Sequence, residues 1–219
     1  MKKIVLVILL LGIFVPKASA QWRAGVYGGI DWGKRSINPG YSYAFARSAA
    51  VGGVAGVSGQ YIFNEWLGIR TDLNAQWRNY NDCYSIMSEY YRYRNMYLTL
   101  PVMASFSFGG KKVRGYLGTG VYAGLWCAQN IYSREMHNGK PDFRHTASGF
   151  SKADKRFDAG LAGCLGVTCM LTADLSVNVE GMLYYGLVNS HNTGSSRYVQ
   201  PSYFTTPCIN MGLAWVFDK

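Results

Sequence analysis

The stretch Leu67-Gly68-Ile69-Arg70-Thr71-Asp72-Leu73-Asn74-Ala75-Gln76-Trp77-Arg78 decides the fold class. Leu67, Ile69, Thr71, Leu73, Ala75 and Trp77 occupy one parity; Gly68, Arg70, Asp72, Asn74, Gln76 and Arg78 occupy the other. Successive side chains of a strand point to opposite faces, so this pattern predicts a strand with one greasy face and one strongly polar face. A helical period of 3.6 would mix the two sets.

Working outward, seven more segments alternate in the same way: residues 22–32, 51–63, 96–108, 113–125, 157–167, 175–187 and 209–217. In one of them Met96, Leu98, Leu100, Val102, Ala104, Phe106 and Phe108 share a parity. Pro101 falls on the other, which predicts a bulge or a lost ladder bond. Connections alternate in length: 33–50, 79–95, 126–156 and 188–206 are long, whereas 64–66, 109–112 and 168–174 are short. About 9–11 tilted residues cross a membrane as a strand, and each segment is long enough. An even strand number, with short turns at one end and long loops at the other, predicts an eight-stranded antiparallel up-and-down transmembrane β-barrel. By the same rule both termini are expected in the periplasm.

A soluble barrel would turn its apolar face inward. The lysines argue against that. Lys34, Lys111, Lys112, Lys140, Lys152, Lys155 and Lys219 all lie outside the strand cores. The polar face is instead Gly, Ser, Asn, Tyr and a few charges, as a packed interior needs. Trp22, Trp32, Trp66, Trp77, Trp126 and Trp215 fall near strand ends, where interfacial girdles sit.

Residues 1–20 read as a secretion signal and 21–219 as one barrel domain. Lys2 and Lys3 precede an apolar run, Ile4–Val15, and Ala18-Ser19-Ala20 supplies a small-residue cleavage pattern. Twelve apolar residues reach about 18 Å as a helix, short of the roughly 30 Å of a bilayer core. Of 22 basic side chains, three lie in this leader, leaving 19 against 12 acidic ones, a formal charge of +7. A secreted barrel with scattered charges suggests anionic lipopolysaccharide as the partner of this surface, and no nucleic acid. Cys83, Cys127, Cys164, Cys169 and Cys208 match no zinc spacing, and their odd number leaves at least one thiol unpaired.

With the strands placed, the sequence resembles the PorT-like outer-membrane β-barrel proteins common in Bacteroidetes. Asn95-Met96-Tyr97-Leu98-Thr99-Leu100-Pro101-Val102 is similar to that family's tyrosine–apolar–polar–apolar–proline strand. Asp158-Ala159-Gly160-Leu161, with Gly163 and Gly166, resembles its sixth strand, and Tyr185-Gly186-Leu187-Val188-Asn189 the end of its seventh. The resemblance implies an outer-membrane barrel. Some relatives serve protein secretion across the outer membrane.

Three groups of residues invite functional readings. Arg23, Asp31, Arg70, Asp72, Arg78, Arg114, Asp158 and Glu180 share the inward parity and are expected to fill the lumen as mixed-sign ion pairs. A wet proton or ion path is the alternative. Tyr80, Tyr84, Tyr90, Tyr91 and Tyr93, with Arg92 and Arg94, crowd the second long connection. They read either as a girdle whose arginines reach lipopolysaccharide phosphates or as a contact surface for an envelope or secretion protein. Ile209, Met211, Leu213, Trp215 and Phe217 form the last apolar row, resembling the signal read by the barrel-assembly machinery.

His137, His145 and His191 fall in connections. Ser190-His191-Asn192 raises the thought of a lipid A deacylase, but an adjacent Ser and His seldom face one another. We assign no catalytic, cofactor-binding or metal-ligating residue and expect no cofactor. The leading expectation is a non-enzymatic structural or interaction barrel; a lipid-modifying enzyme and a narrow solute channel are the alternatives. A disulfide between Cys83 and Cys127 is one further expectation, because their flanking strands are consecutive.

Overall fold

The computed structural model describes residues 21–37, 46–84, 89–137, 140–148, 150, 154–189 and 202–217. These carry ten strands: β1 (Gln21–Ile37), β2 (Ala46–Ile62), β3 (Leu67–Trp77), β4 (Tyr80–Tyr84), β5 (Glu89–Gly109), β6 (Val113–His137), β7 (Lys140–Ser148), β8 (Phe157–Met170), β9 (Leu175–Gly186) and β10 (Ser202–Phe217). Eight of them, all but β4 and β7, pair antiparallel in chain order around a ring. The ring closes where β10 runs against β1, from Trp22↔Phe217 to Ile37↔Ser202. Closure leaves none of the eight ring strands with an open edge in the bilayer.

The two extra strands correct the reading of residues 79–95 and 126–156 as loops. β4 carries β3 onward after a break at Arg78 and Asn79, pairing with β2 and β5. β7 folds back on the far half of β6, from Gln129↔Ser148 to His137↔Lys140. β5 has 21 residues and β6 has 25, about twice what a bilayer crossing needs. At one end, the arm end, β4, β7 and the far halves of β5 and β6 therefore stand beyond the membrane-spanning length.

Three tight turns close the other, turn end. Asn64 Oδ1 accepts from the N–H groups of Trp66 (3.1 Å) and Leu67 (2.8 Å), a side-chain substitute for a backbone turn. Gly109, with φ of 119°, opens the turn before Val113, a left-handed conformation that favours glycine. Thr172 Oγ1 accepts from Leu175 N–H at 3.0 Å.

The proline expectation holds in one form. The β3–β5 ladder stops at Thr71↔Val102 and resumes at Asn74↔Thr99, skipping the positions opposite Pro101. Thr71 Oγ1 donates to the idle Pro101 carbonyl at 3.1 Å. The bulge sits elsewhere: Met96 faces Ala128 while Tyr97 faces Trp126, which makes Cys127 the extra residue.

Alternation sorts the side chains. Val57, Leu73, Leu100, Val121, Leu165, Val179 and Leu213 are exposed on the outer wall, whereas Asn74, Gln76, Tyr184 and Glu180 are buried inside. Trp22, Trp66, Trp77 and Trp215 are exposed near strand ends. Trp126 is not part of that girdle. It is 2% exposed and stacks on Tyr97 inside the barrel, with centroids 5.7 Å apart.

The cysteines also depart from expectation. Cys83 lies opposite Tyr90, and Tyr90 opposite Arg134, seven residues beyond Cys127 on β6. Seven steps cover about 23 Å, too far for a disulfide. Both thiols are free, and Cys164 and Cys208 are buried in the lumen.

Candidate functional site

The inward row of β3 crosses the lumen. β3 and β9 lie four strands apart either way round the ring, so a bond between them spans the barrel's width. Arg70 makes that span: its guanidinium donates to both oxygens of Glu180, at 2.6 and 2.9 Å, and to Asp72 at 2.9 Å. Tyr116 Oη donates to Glu180 at 2.8 Å, and Asn210 Nδ2 at 3.3 Å. A bidentate guanidinium–carboxylate pair is directional, and this one is shielded from water.

Above it lies a belt of mostly apolar groups: Tyr27, Met103, Cys164, Met182 and Tyr184, with Asn74 Nδ2 donating to Tyr184 Oη at 3.1 Å. A second ion cluster follows. Arg78, fully buried, donates to Asp158 at 2.5 Å and to Gln76 Oε1 at 2.9 Å, while Tyr122 Oη donates to Asp158 at 3.0 Å. The Arg78 guanidinium also lies 4.7 Å from the Tyr97 ring centroid. Tyr80, Tyr97, Trp126 and Phe204 cap the stack at the arm end.

Glycines place both phenols. Tyr116 faces Gly166 and Tyr122 faces Gly160 across the β6–β8 ladder. A Cβ on Gly166 would meet the Tyr116 ring at 2.5 Å, and one on Gly160 would meet Tyr122 at 2.9 Å. Each ring lies over a bare backbone, so Tyr116 reaches past β8 to Glu180 on β9, and Tyr122 reaches Asp158 on β8 itself.

Of the eight expected lumen charges, five form these two clusters. Three stand apart. Arg23 and Arg114 line a small polar cavity of about 40 Å³ at the turn end, where Arg114 donates to the Glu65 carbonyl. Asp31 is buried, and neither of its oxygens accepts a hydrogen bond from a described residue.

The tyrosine–arginine group is strand, not loop, and alternation splits it. Tyr93 turns inward and stacks on buried Tyr80, centroids 4.6 Å apart. Tyr90, Arg92 and Arg94 take the outward parity of Leu98 and Leu100; of Tyr84 only the backbone, in β4, is described. On the neighbouring strand Arg94 lies 4.9 Å from the Tyr132 ring centroid, and Tyr132 stacks on His145 at 4.5 Å. Ser190, His191 and Asn192 lie outside the described residues. Ile209, Met211, Leu213, Trp215 and Phe217 line the outer wall of the closing strand, each about half exposed.

A closed antiparallel ring with an apolar outside and a polar inside agrees with what known proteins share with this sequence. The family described as outer membrane protein beta-barrel domain matches residues 17–192, well over half of the chain. The chain belongs to that family. This outer-membrane barrel is similar in fold to OprG of Pseudomonas aeruginosa, at 16% identity and a TM-score of 0.54, covering 93% of this chain and 98% of that one. Neisserial surface protein A matches at 15% identity and TM-score 0.47 over 88% and 96% of the two chains. Ail of Yersinia pestis matches at 12% and 0.44 over 89% and 98%. No curated protein matches the sequence.

Sequence reasoning missed Tyr116, Tyr122, Gln76 and Asn210 as partners of the lumen charges. A tyrosine of inward parity opposite a glycine on the next strand was the available signal for the first two.

Proposed function

We propose that this barrel is a non-enzymatic anchor that presents its β4–β7 arm outside the cell as a contact surface. In this reading the turn end and both termini are periplasmic, and the partner is an envelope or secretion component, as the PorT-like resemblance suggests. The observation that carries it is the filled lumen. Two ion clusters, an apolar belt and an aromatic cap follow one another along the barrel axis, and the Arg70–Glu180 pair bridges opposite walls. A barrel occupied in this way has no continuous wet path, so its working surface is the part that stands clear of the membrane. The same reading makes the row from Ile209 to Phe217 the signal for the barrel-assembly machinery.

Two measurements test the proposal. Planar bilayers holding the purified barrel should show no steady conductance; sustained unitary currents would replace the anchor with a pore. A photo-crosslinking residue at Arg144, exposed on β7, should capture one discrete protein in native membranes. Failure to form any protein adduct would remove the contact surface.

A further inference from the structure

We propose that Arg92, Arg94 and Arg134 form a binding site for a phosphorylated lipid headgroup, as in lipopolysaccharide, on the outer wall of the arm. The proposal deepens the reading above and rests on the arm standing at a membrane surface. The outward row of β5 is apolar from Phe108 to Met96 and turns cationic at Arg94 and Arg92. Those twelve apolar steps cover about 40 Å of strand, or about 30 Å along the axis at a tilt near 40°. An outer-membrane barrel's apolar band is about 25 Å tall, so the arginines stand just past its edge. Lipid phosphates lie at that depth.

The register gathers the three cations. Arg92 faces Tyr132, Tyr90 faces Arg134, and Arg94 faces Asn130, which puts all three on one face of neighbouring strands. None is ion-paired with another described side chain; Arg92 meets only an amide oxygen, that of Asn81, at 3.4 Å. The Asp142–Arg144 pair on β7 takes the opposite parity to Phe143, which faces Arg134, so it does not neutralise them. Three like charges on one patch favour a polyanion, and guanidinium groups bind phosphate by paired hydrogen bonds.

Two open clefts meet at these arginines. One, of about 540 Å³, is floored by Ala49, Val51 and Gly53 and walled by Trp77, Arg92 and Arg94. The other, of about 330 Å³, places Tyr90, Tyr132 and Phe143 beside Arg92, Arg94 and Arg134. The first cleft joins the lipid-facing wall, since Val51 and Trp77, both in its lining, are exposed there. A soluble polyanion has no use for that apolar floor, whereas a lipid lays its acyl chains along it and its phosphates on the guanidinium groups. The Tyr132 ring beside Arg94 and the Phe143 ring 6.0 Å from Arg134 hold the cations in place.

The test compares the full-length protein with an R92Q/R94Q/R134Q variant in nanodiscs of phosphatidylcholine, with and without lipopolysaccharide. Lipid retained after exchange into mild detergent is counted by native mass spectrometry. Wild type should retain lipopolysaccharide, and each arginine removed should lower retention about tenfold. Heat-modifiable gel migration in plain phosphatidylcholine should be the same for both, showing that the variant folds. Where it does not fold, R92K/R94K replaces it and should retain an intermediate amount, the charge surviving without the paired hydrogen bonds. Equal retention by variant and wild type overturns the site. Equal binding of a deacylated, water-soluble phosphosaccharide overturns its assignment to a lipid. Lipid occupies both leaflets of the disc, so an inverted topology would sink the functional reading and leave this answer intact.

Discussion

Asp31 and Asp158 both turn into the lumen, yet they stand in opposite situations. Asp158 takes hydrogen bonds from Arg78 and Tyr122, and Arg78 is fully buried. Removing the carboxylate in Asp158→Ala strands a buried cation, a loss of about 3–5 kcal/mol. Asp31 has no donor among the described residues to lose, so Asp31→Asn removes a buried charge without breaking a described pair and should leave stability unchanged or raised. Urea unfolding in detergent, followed by tryptophan fluorescence, separates them; an Asp31→Asn loss as large as that of Asp158→Ala would mean that Asp31 is paired in solution. Lipid-facing and lumen-facing neighbours divide similarly. Leu73 is 44% exposed on the outer wall, and Leu73→Arg should hinder insertion into vesicles, at about 2–4 kcal/mol. Asn74, buried against Tyr184, should tolerate insertion as Asn74→Arg but lose about 1–3 kcal/mol to overpacking. Insertion blocked in Asn74→Arg alone would contradict the register.

At the scale of the element, contrast between faces decides what a sequence reveals. β3 alternates Leu67, Ile69 and Leu73 with Arg70, Asp72 and Asn74, and its limits were legible to within a residue. The same alternation continues through Tyr90, Tyr91, Arg92, Tyr93 and Arg94, but both faces are polar and aromatic there, so strand passes for loop. The β6 bulge at Cys127 leaves no trace in composition, and it is what turns Ala128, Asn130, Tyr132 and Arg134 to the same face as Met96, Arg94, Arg92 and Tyr90. Inward parity marked the charges, but their pairing depends on how the ring brings distant strands together. Arg70 and Glu180 are 110 residues apart and meet only because β3 and β9 oppose one another. The closing strand carries the element-scale prediction. β10 must pair with β1 to complete the ring, and Phe217 faces Trp22 at its last ladder position. Phe217→Asp puts an anion into the lipid-facing row where closure ends, so the barrel should lose heat-modifiable migration. Normal migration of that variant would separate assembly from the terminal aromatic.

For the whole molecule, the contact surface proposed for the arm turns on which end faces the medium, and the free thiols report it. Cys83 is exposed on β4 at the arm end; Cys169 is exposed beside the Leu171–Asp174 turn at the other end. Cys164 and Cys208 are buried in the filled lumen, and Cys127 is half-buried at the bulge. The two exposed thiols thus mark opposite faces of one membrane, while the lumen thiols stay shielded from bulky reagents. A membrane-impermeant maleimide applied to intact cells should label the protein, and Cys83→Ser should remove most of that label. Cys169→Ser should change nothing until the cells are broken open, when Cys169 becomes reachable in the parent protein. Labelling that survives Cys83→Ser and vanishes with Cys169→Ser would turn the barrel over. The arm would then face the periplasm, and the contact surface proposed for it would have to serve a partner there.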